Sequence, residues 1–217
     1  VVKGGSQQYV KALVSPFTDR IHLNSPVQSI RRFNDGVEIE VAGQAPQRFD
    51  EVVIAVHSDQ ALRLLADASQ QEREILAGIR YQKNETVLHT DAKLLPKKER
   101  AWASWNYFLP EAGASAPTVT YNMNILQGLE SKKPFCVSLN RQDEIDEKDV
   151  LRRMTYHHPI YDLATLDAQH RRGEINGVNR TYYCGAYWGY GFHEDGARSG
   201  IEVAQMLGDR HKERARV

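Results

Sequence analysis

Residues 181–207 constrain the fold of this 217-residue chain more than any other stretch. Residues 181–184 are aromatic or small and predict a short buried strand. Glycines at positions 185, 189 and 191 predict a loop whose backbone turns sharply or approaches another group closely. An amphipathic helix is predicted from about Glu194. A strand, a glycine-rich turn and a helix in this order are typical of a ligand site in an α/β fold.

The start of this helix is suited to an electron-rich ligand. Glu194 and Asp195 fall in the first turn, where the helix dipole favours negative charge. The N–H groups of a first helical turn lack partners within the helix, so they can point at a bound group. Small residues recur further along and predict close packing of the helix on a sheet: Gly196, Ala197, Gly200 and Ala204.

Charge and cysteine usage exclude several classes of function. Lys plus Arg equals Asp plus Glu, at 28 each, so no net charge favours nucleic acid or an anionic membrane. Cys136 and Cys184 lie far apart in apolar runs, which indicates buried thiols and neither a disulfide framework nor a metal site. No apolar run approaches the roughly 20 residues of a transmembrane segment, and no signal peptide is visible. The sequence therefore predicts a cytoplasmic protein.

The first third of the chain has α/β character. Ser6 is a candidate N-cap for an amphipathic helix whose apolar face includes Leu13. A hairpin is predicted to turn at residues 34–36, and residues 51–56 form an apolar run suited to a strand covered on both faces. Ser58 is predicted to cap a second helix, and Ser69 with Glu72 forms a capping-box pattern that opens a third.

From about residue 78 to 172 the pattern changes to strands in series. Glycine and proline separate the predicted strands, at residues 86–90, 102–108, 118–125, 135–139 and 152–156. Strands in series with short connections imply a mostly antiparallel sheet, and a short helix is predicted at 161–172. The fold class is therefore α/β, with an inserted domain that is mostly antiparallel β-sheet.

Residues 184–200, CGAYWGYGFHEDGARSG, resemble the C-terminal flavin motif of FAD-dependent amine oxidases, protoporphyrinogen oxidases and phytoene desaturases. The sequence looks most similar to bacterial NAD/FAD-binding proteins of that superfamily. This resemblance implies that FAD is the cofactor. It also implies that residues 1–77 and 173–217 form the C-terminal portion of a Rossmann-like FAD-binding domain, and that residues 78–172 form the substrate domain.

The resemblance implies which residues contact FAD. The backbone around Val27 would lie beside the adenine, and the loop containing His57 near the pyrophosphate. Phe192 would lie beside the reactive face of the isoalloxazine ring, and the His193 N–H would approach its pyrimidine carbonyl. The full implied set of cofactor-binding residues is Val27, His57, Gly185, Ala186, Tyr187, Gly191, Phe192, His193 and Ser199.

Two departures from the superfamily pattern bear on the substrate. Amine oxidases usually carry a lysine in the first strand of the substrate domain, where this chain offers Asn84 or Thr86. Many relatives also place an acid after the glycine of the final strand, where this chain has Ala186 and Tyr187. By analogy with the desaturase branch, the resemblance implies an apolar small-molecule substrate, such as a fatty-acyl or isoprenoid chain, oxidised by hydride transfer to flavin.

Three residues are catalytic candidates: Phe192, His89 and Trp105. His89 is either a hydrogen-bonded sheet residue or a base. Trp105 and Tyr107 share one face of a predicted strand while Asn106 takes the other, so only one set can line a cavity; an ordinary sheet core is the alternative. No metal site is predicted, because the side chains of residues 193–195 diverge by about 100° per residue around a helix.

A strand leading into Gly-x-Gly-x-x-Gly, the turn that binds a dinucleotide pyrophosphate, is absent from this sequence. Relatives of the superfamily begin with that turn. The sequence therefore leaves two alternatives open: a folded fragment that is inactive without the missing N-terminal half of the same protein, or a non-catalytic module that kept the fold.

Overall fold

A computed structural model describes residues 2–110 and 117–214 of the chain. Its helices are α1 (Gln7–Val14), α2 (Ser58–Leu64), α3 (Gln70–Gly78), α4 (Met123–Gln127), α5 (Leu163–His170) and α6 (His193–Arg214). Its strands are β1 (Val27–Arg32), β2 (Val37–Val41), β3 (Gln47–Phe49), β4 (Val52–Ile54), β5 (Tyr81–His89), β6 (Trp105–Phe108), β7 (Thr118–Asn122), β8 (Cys136–Leu139), β9 (Val150–Pro159) and β10 (Thr181–Tyr183). None of the described helices is both long and apolar enough to cross a bilayer.

The chain divides into two compact units. One, which we call the sheet unit, comprises Val1–Ile21 and Lys83–His158. The other, which we call the core unit, comprises His22–Gln82 and Pro159–Val217. This grouping places residues 1–21 with the residues of the antiparallel sheet, whereas the sequence assigned them to the cofactor domain. The predicted division into domains stays a prediction.

The sheet unit contains the predicted antiparallel sheet. Its five strands follow the order β6-β7-β8-β5-β9, with the described pairings antiparallel. Asn106 is buried on one face and Trp105 and Tyr107 are exposed on the other, as their alternation predicted. The predicted strand at 118–125 is wrong in its second half: the chain turns into α4 at Met123, because the Asn122 side chain accepts a hydrogen bond from Ile125 N at 3.2 Å and caps a helix.

The core unit combines two small sheets with four helices. Strands β1, β2 and β3 form an antiparallel meander, and its first hairpin turns at the predicted place. Strands β4 and β10 pair in parallel, with Ile54 opposite Tyr183. The hydrophobic core joins both sheets to α2, α3 and α5 through residues that include Ile30, Ile54 and Leu76.

Local capping signals differ in how well they predicted this unit. The capping box of α3 is confirmed, since Ser69 Oγ accepts from Glu72 N at 3.1 Å and Ser69 N donates to Glu72 Oε2 at 2.7 Å. The cap predicted at Ser58 is wrong: α2 begins at Ser58 itself, whose buried hydroxyl donates to Ile79 O at 3.2 Å. In the sheet unit, Ser6 precedes α1 but its side chain makes no capping bond.

Two expectations about burial are also wrong. Strand β4 is covered on one face only, because Val52 and Ile54 pack into the core while Val53 is 41% exposed. On α6, Gly196 lies close to Ala186, and the side chains of Ser199 and Val203 are buried. Ala197 and Ala204 lie on the exposed side of the helix. The packed face of α6 is therefore rotated from the stripe of small residues that the sequence suggested.

A buried ionic network ties the meander to α3 and β10. Arg32 forms two hydrogen bonds of 2.9 Å with the Glu72 carboxylate, and Tyr183 Oη donates to Glu72 Oε1 at 2.6 Å. Asp67 Oδ1 lies 2.7 Å from Arg32 Nε. Burial by itself would raise the pKa of Glu72, but hydrogen bonds from Arg32 and Tyr183 lower it below its ordinary value. Glu72 is therefore ionised at neutral pH and holds three elements together.

Candidate functional site

The carboxyl ends of β4 and β10 lie at the same edge of the core unit. The two strands are parallel neighbours, and Cys184 N donates to Ile54 O at 3.2 Å where both strands end. His57 follows β4, and the glycine-rich loop follows β10. Ligands of open α/β sheets bind outside the carboxyl ends of the strands, so this carboxyl edge is the candidate site. It brings together the predicted residues of the loop, the start of α6, and His57.

Backbone hydrogen bonds fold the glycine-rich loop into a compact turn. Trp188 N donates to Gly185 O at 3.2 Å, and Gly189 N and Gly191 N both donate to Ala186 O at 3.1 Å. Gly191 has φ +87°, a left-handed conformation that favours glycine. A Cβ at position 185 would overlap the ring of buried Tyr187. Glycine is thus required at 191 for its backbone and at 185 for space.

Asp195 closes the loop onto the start of α6. Its Oδ2 accepts hydrogen bonds from Tyr190 N at 3.1 Å and from Phe192 N at 3.0 Å. The side chains of this segment point away from the core, with Tyr190 79% and Phe192 57% exposed. Within the described residues, the side chains at the start of α6 therefore lie on the surface, at the place where the sequence predicted a flat ligand.

Replacing Asp195 with alanine should lower the free energy of unfolding by about 1 kcal/mol, because two loop amides lose their common acceptor. Urea unfolding would measure the change. The matched control is Glu194→Ala: Glu194 is the adjacent acid, and within the described residues its ion-pair contact is with Arg198 at 3.8 Å. Equal losses in the two variants would contradict the capping role.

Ser199 connects α6 to the end of β10. Its hydroxyl accepts from Gly185 N at 2.9 Å and contacts Gly185 O and Gly196 O at 3.2 and 2.9 Å. The residue is buried, so its polar atoms are used within the protein. The structure thus gives Ser199 a structural contact at the base of the loop, while a direct cofactor contact stays a prediction.

Two tyrosines that the sequence did not single out complete the carboxyl edge. The ring of Tyr81 stacks on His57, with centroids 4.4 Å apart and an interplanar angle of 15°. The hydroxyl of Tyr161 lies 2.5 Å from the position that a Cβ of Gly191 would occupy. Ile160 N donates to Arg80 O at 2.8 Å, so the segments carrying the tyrosines are adjacent. Strand β5 carries Tyr81, and β9 ends just before Tyr161; the two strands are neighbours in the sheet although they lie far apart in sequence. The alternation of residues within a strand does not reveal which strands pair, so the sequence did not identify these tyrosines.

Val27 lies at a separate place in the core unit, beside an open cavity of about 350 Å³. The lining of the cavity combines apolar and polar side chains. Its lining consists of His22, Ser25, Val27, Ile39, Val41, Gln44, Gln47 and Phe49. Pockets of about 300 Å³ and above hold small molecules, so this one is large enough for an aromatic ring system.

The other catalytic candidates, His89 and Trp105, belong to the sheet unit. His89 is fully buried, and its Nε2 lies 2.8 Å from Ser138 Oγ. Burial lowers the pKa of the His89 imidazole, which is therefore neutral at pH 7. Trp105 is 43% exposed and packs edge-to-face on Tyr121 at 5.2 Å. His89 has the environment of a hydrogen-bonded sheet residue, and Trp105 that of a residue on an open apolar face; their catalytic roles stay predictions.

One group of acids in the described chain has the spacing of a cation site. Carboxylate oxygens of Asp91, Asp146 and Asp149 lie within 4.8 Å of one another. Lys93 Nζ lies 3.1 Å from Asp91 Oδ2 and 2.8 Å from Asp146 Oδ1. The lysine thus balances part of this negative charge. Cys136 and Cys184 are both free thiols, as predicted, but only Cys136 is buried and Cys184 is partly exposed.

Comparisons with known proteins bear on the family and the fold of the chain. A family model described as flavin containing amine oxidoreductase matches residues 1–94. A triple mutant of putrescine oxidase matches with a TM-score of 0.64 and 14% identity, over 95% of this chain and 53% of that chain. Cyclohexylamine oxidase from Brevibacterium oxydans IH-35A matches with a TM-score of 0.61 and 14% identity, over 96% and 53%. A search of curated proteins found no match.

A third solved structure, a fatty acid isomerase from P. acnes, matches with a TM-score of 0.59 and 15% identity, over 93% of this chain and 52% of that chain. The chain thus spans about half the length of the structures that it resembles. The mixed α/β architecture matches the C-terminal part of their fold, and the family match implies a flavin cofactor. These findings confirm the predicted resemblance to FAD-dependent amine oxidases: the chain is similar in fold to the C-terminal part of these proteins.

Proposed function

We propose that this chain is part of an FAD-dependent oxidoreductase that oxidises an apolar, lipid-like substrate by hydride transfer to flavin. The observation that carries the proposal is the exposed glycine-rich loop and helix start at the carboxyl edge of β4 and β10. The match of residues 1–94 to a flavin oxidoreductase family supports the same chemistry.

The residues of the carboxyl edge fit the isoalloxazine end of FAD. Gly191 adds no side chain to this surface, and its φ of +87° is a conformation that most other residues avoid. Phe192 is exposed beside it and offers an aromatic face. Bound FAD would supply the hydride acceptor, while the start of α6 directs its positive end toward charge that gathers on the reduced ring. Gly185, Ala186, Tyr187 and His193 complete the proposed contacts.

Other residues support the proposed positions of the adenine and the pyrophosphate of FAD. The cavity beside Val27 offers apolar side chains and amide groups of a size suited to adenine. His57 is fixed at the end of β4, where its N–H donates to Gln60 Oε1 at 3.3 Å and its ring stacks on Tyr81. We propose that this loop lies near the pyrophosphate.

The exposed sheet face supports an apolar substrate. Trp105 and Tyr107 project from the face of β6 opposite to buried Asn106, and Tyr121 packs against Trp105. Such a face offers aromatic surface with few charges, which suits an acyl or isoprenoid chain. The printed name of one similar structure, a fatty acid isomerase, agrees with that class of substrate.

We propose that residues 1–77 and 173–217 serve the cofactor and residues 78–172 the substrate. The sequence contains no Gly-x-Gly-x-x-Gly turn after a strand, and the chain spans about half of the similar structures. We therefore propose that a polypeptide carrying this turn, the N-terminal half of the same protein, completes the FAD site.

The product of the complete gene should purify as a yellow protein with the visible absorbance bands of flavin. Denaturation should release FAD in a ratio close to one per chain, identified by its chromatographic mobility and by mass. A folded but colourless protein that takes up no FAD on reconstitution would contradict the proposal.

The alternative is a folded fragment, or a module that kept the fold without the chemistry. For these 217 residues taken alone, the missing dinucleotide turn favours the fragment hypothesis, because the phosphates of FAD would lack the backbone N–H groups that bind them. Titrating residues 1–217 with FAD separates the two cases. Tight stoichiometric binding would contradict the fragment hypothesis, whereas weak binding that the complete gene product restores would support it.

A further inference from the structure

Tyr161 is held in a fixed place at the carboxyl edge of the core unit. The residue before it is anchored, because Ile160 N donates to Arg80 O at 2.8 Å. The residue after it, Asp162, accepts from Thr165 N at 2.9 Å and caps α5. With both neighbours tied down, the backbone at Tyr161 is fixed on both sides.

The hydroxyl of this residue meets Gly191. Its oxygen lies 2.5 Å from the place of a Cβ at that position, so only glycine leaves room for the contact. In the described ranges, 2–110 and 117–214, no hydrogen bond to the Tyr161 hydroxyl is present, and the residue is 44% exposed. Burial, with Tyr81 and Asp195 nearby, raises the pKa of Tyr161 to about 12, so the phenol keeps its proton at neutral pH.

The neighbouring loop amides are already used. Tyr190 N and Phe192 N donate to Asp195 Oδ2, and Gly191 N donates to Ala186 O. Three consecutive backbone donors beside the exposed Phe192 therefore have acceptors within the protein. A ligand atom held against Gly191 therefore cannot use these three amides, and the Tyr161 hydroxyl offers a donor from another element.

We propose that Tyr161 is a positioning residue of the flavin site, whose hydroxyl donates a hydrogen bond to an electron-rich atom of the flavin ring system held against Gly191. This inference rests on the proposed function, since it takes flavin as the ligand. The hydrogen bond strengthens when the ring gains negative charge on reduction, so Tyr161 contributes more to the binding of reduced than of oxidised flavin.

The test uses the product of the complete gene, stripped of flavin and titrated with FAD. Tyr161→Phe removes one oxygen and keeps the ring, and it should weaken FAD binding about five- to tenfold. The flavin bound to Tyr161→Phe should also have a lower reduction potential than the flavin bound to the wild-type protein. A purely structural role of Tyr161 would not produce this change. The matched control is Tyr156→Phe, which loses the same atom from a residue of similar exposure. The hydroxyl of Tyr156 contacts Met154 Sδ and its ring packs edge-to-face on His158, and neither residue belongs to the carboxyl edge.

The outcomes separate the two proposals. Loss of affinity and of potential in Tyr161→Phe, with neither change in Tyr156→Phe, supports the role of Tyr161. If the wild-type protein binds FAD and Tyr161→Phe binds it equally well, with the same flavin reduction potential, this inference is overturned and the proposed function stands. Wild-type protein that binds no FAD overturns both.

Discussion

Replacing Glu72 with glutamine should lower the free energy of unfolding by about 3 kcal/mol. The carboxylate forms two 2.9 Å hydrogen bonds with buried Arg32 and accepts a third from Tyr183. Removing one member of a buried ion pair costs about 3–5 kcal/mol, because the remaining charge stays desolvated. Asp67, at 2.7 Å from Arg32 Nε, keeps a partner for the guanidinium and places the loss at the lower end.

The measurement is urea unfolding of the two proteins at neutral pH, with Glu74→Gln as the matched control. Glu74 lies on the same helix but is exposed, and its surface contacts with Gln70 and Arg171 should contribute little. Equal effects of the two substitutions would contradict the role of the buried network.

The same network should shape the acid sensitivity of the protein. The folded-state pKa of Glu72 lies below its unfolded value, so its contribution is fully present above about pH 4.3. That contribution is lost as the pH falls through the lowered folded-state pKa. Glu72→Gln should therefore flatten the acid side of the stability profile.

Replacing Gly185 with alanine should cost about 1–3 kcal/mol of stability, since a Cβ there overlaps the ring of Tyr187. Tyr187 is buried in the hydrophobic core and cannot rotate away freely. The backbone of Gly185 is extended, with φ 161°, so the cost comes from space and not from strain. Thermal unfolding monitored by circular dichroism would measure it.

Gly200→Ala on α6 is the control for this substitution. A Cβ at Gly200 meets no atom within 4 Å, and alanine is favoured over glycine inside a helix by about 1 kcal/mol. Opposite signs for the two glycines are expected. A Gly185→Ala protein as stable as the wild type would show that the loop after β10 can repack.

Much of the fold could be predicted from patterns within a few residues. The hairpin around residues 34–36, the capping box of Ser69 and Glu72, and the alternation of Trp105 and Asn106 are all confirmed. The glycine-rich segment predicted a strand, a turn and a helix, and α6 begins at His193, one residue from the predicted start. In each case the residues that decide the structure are neighbours in sequence, so their propensities and spacing suffice.

The errors arose where distant residues compete with local preference. Ser58 has the side chain of a helix cap, but its hydroxyl is drawn to Ile79 O, 21 residues away. Val53 belongs to an apolar run typical of a doubly covered strand, yet it is exposed because the core packs only on the opposite face. Local sequence contains no information about which elements will cover a strand or reach a hydroxyl.

Glu72 has one role that local sequence determines and another that depends on tertiary packing. Its place three residues after Ser69 determined that α3 would start there, because a capping box needs only one helical turn. Its bonds to Arg32, 40 residues before it, and to Tyr183, 111 residues after it, depend on the packing of the meander and β10 against α3. Tyr161 reaches Gly191 for the same reason. The sequence alone determined the elements and the glycine-rich turn, whereas only packing decided which side chains meet at the carboxyl edge, because contacts between distant residues form when the core closes.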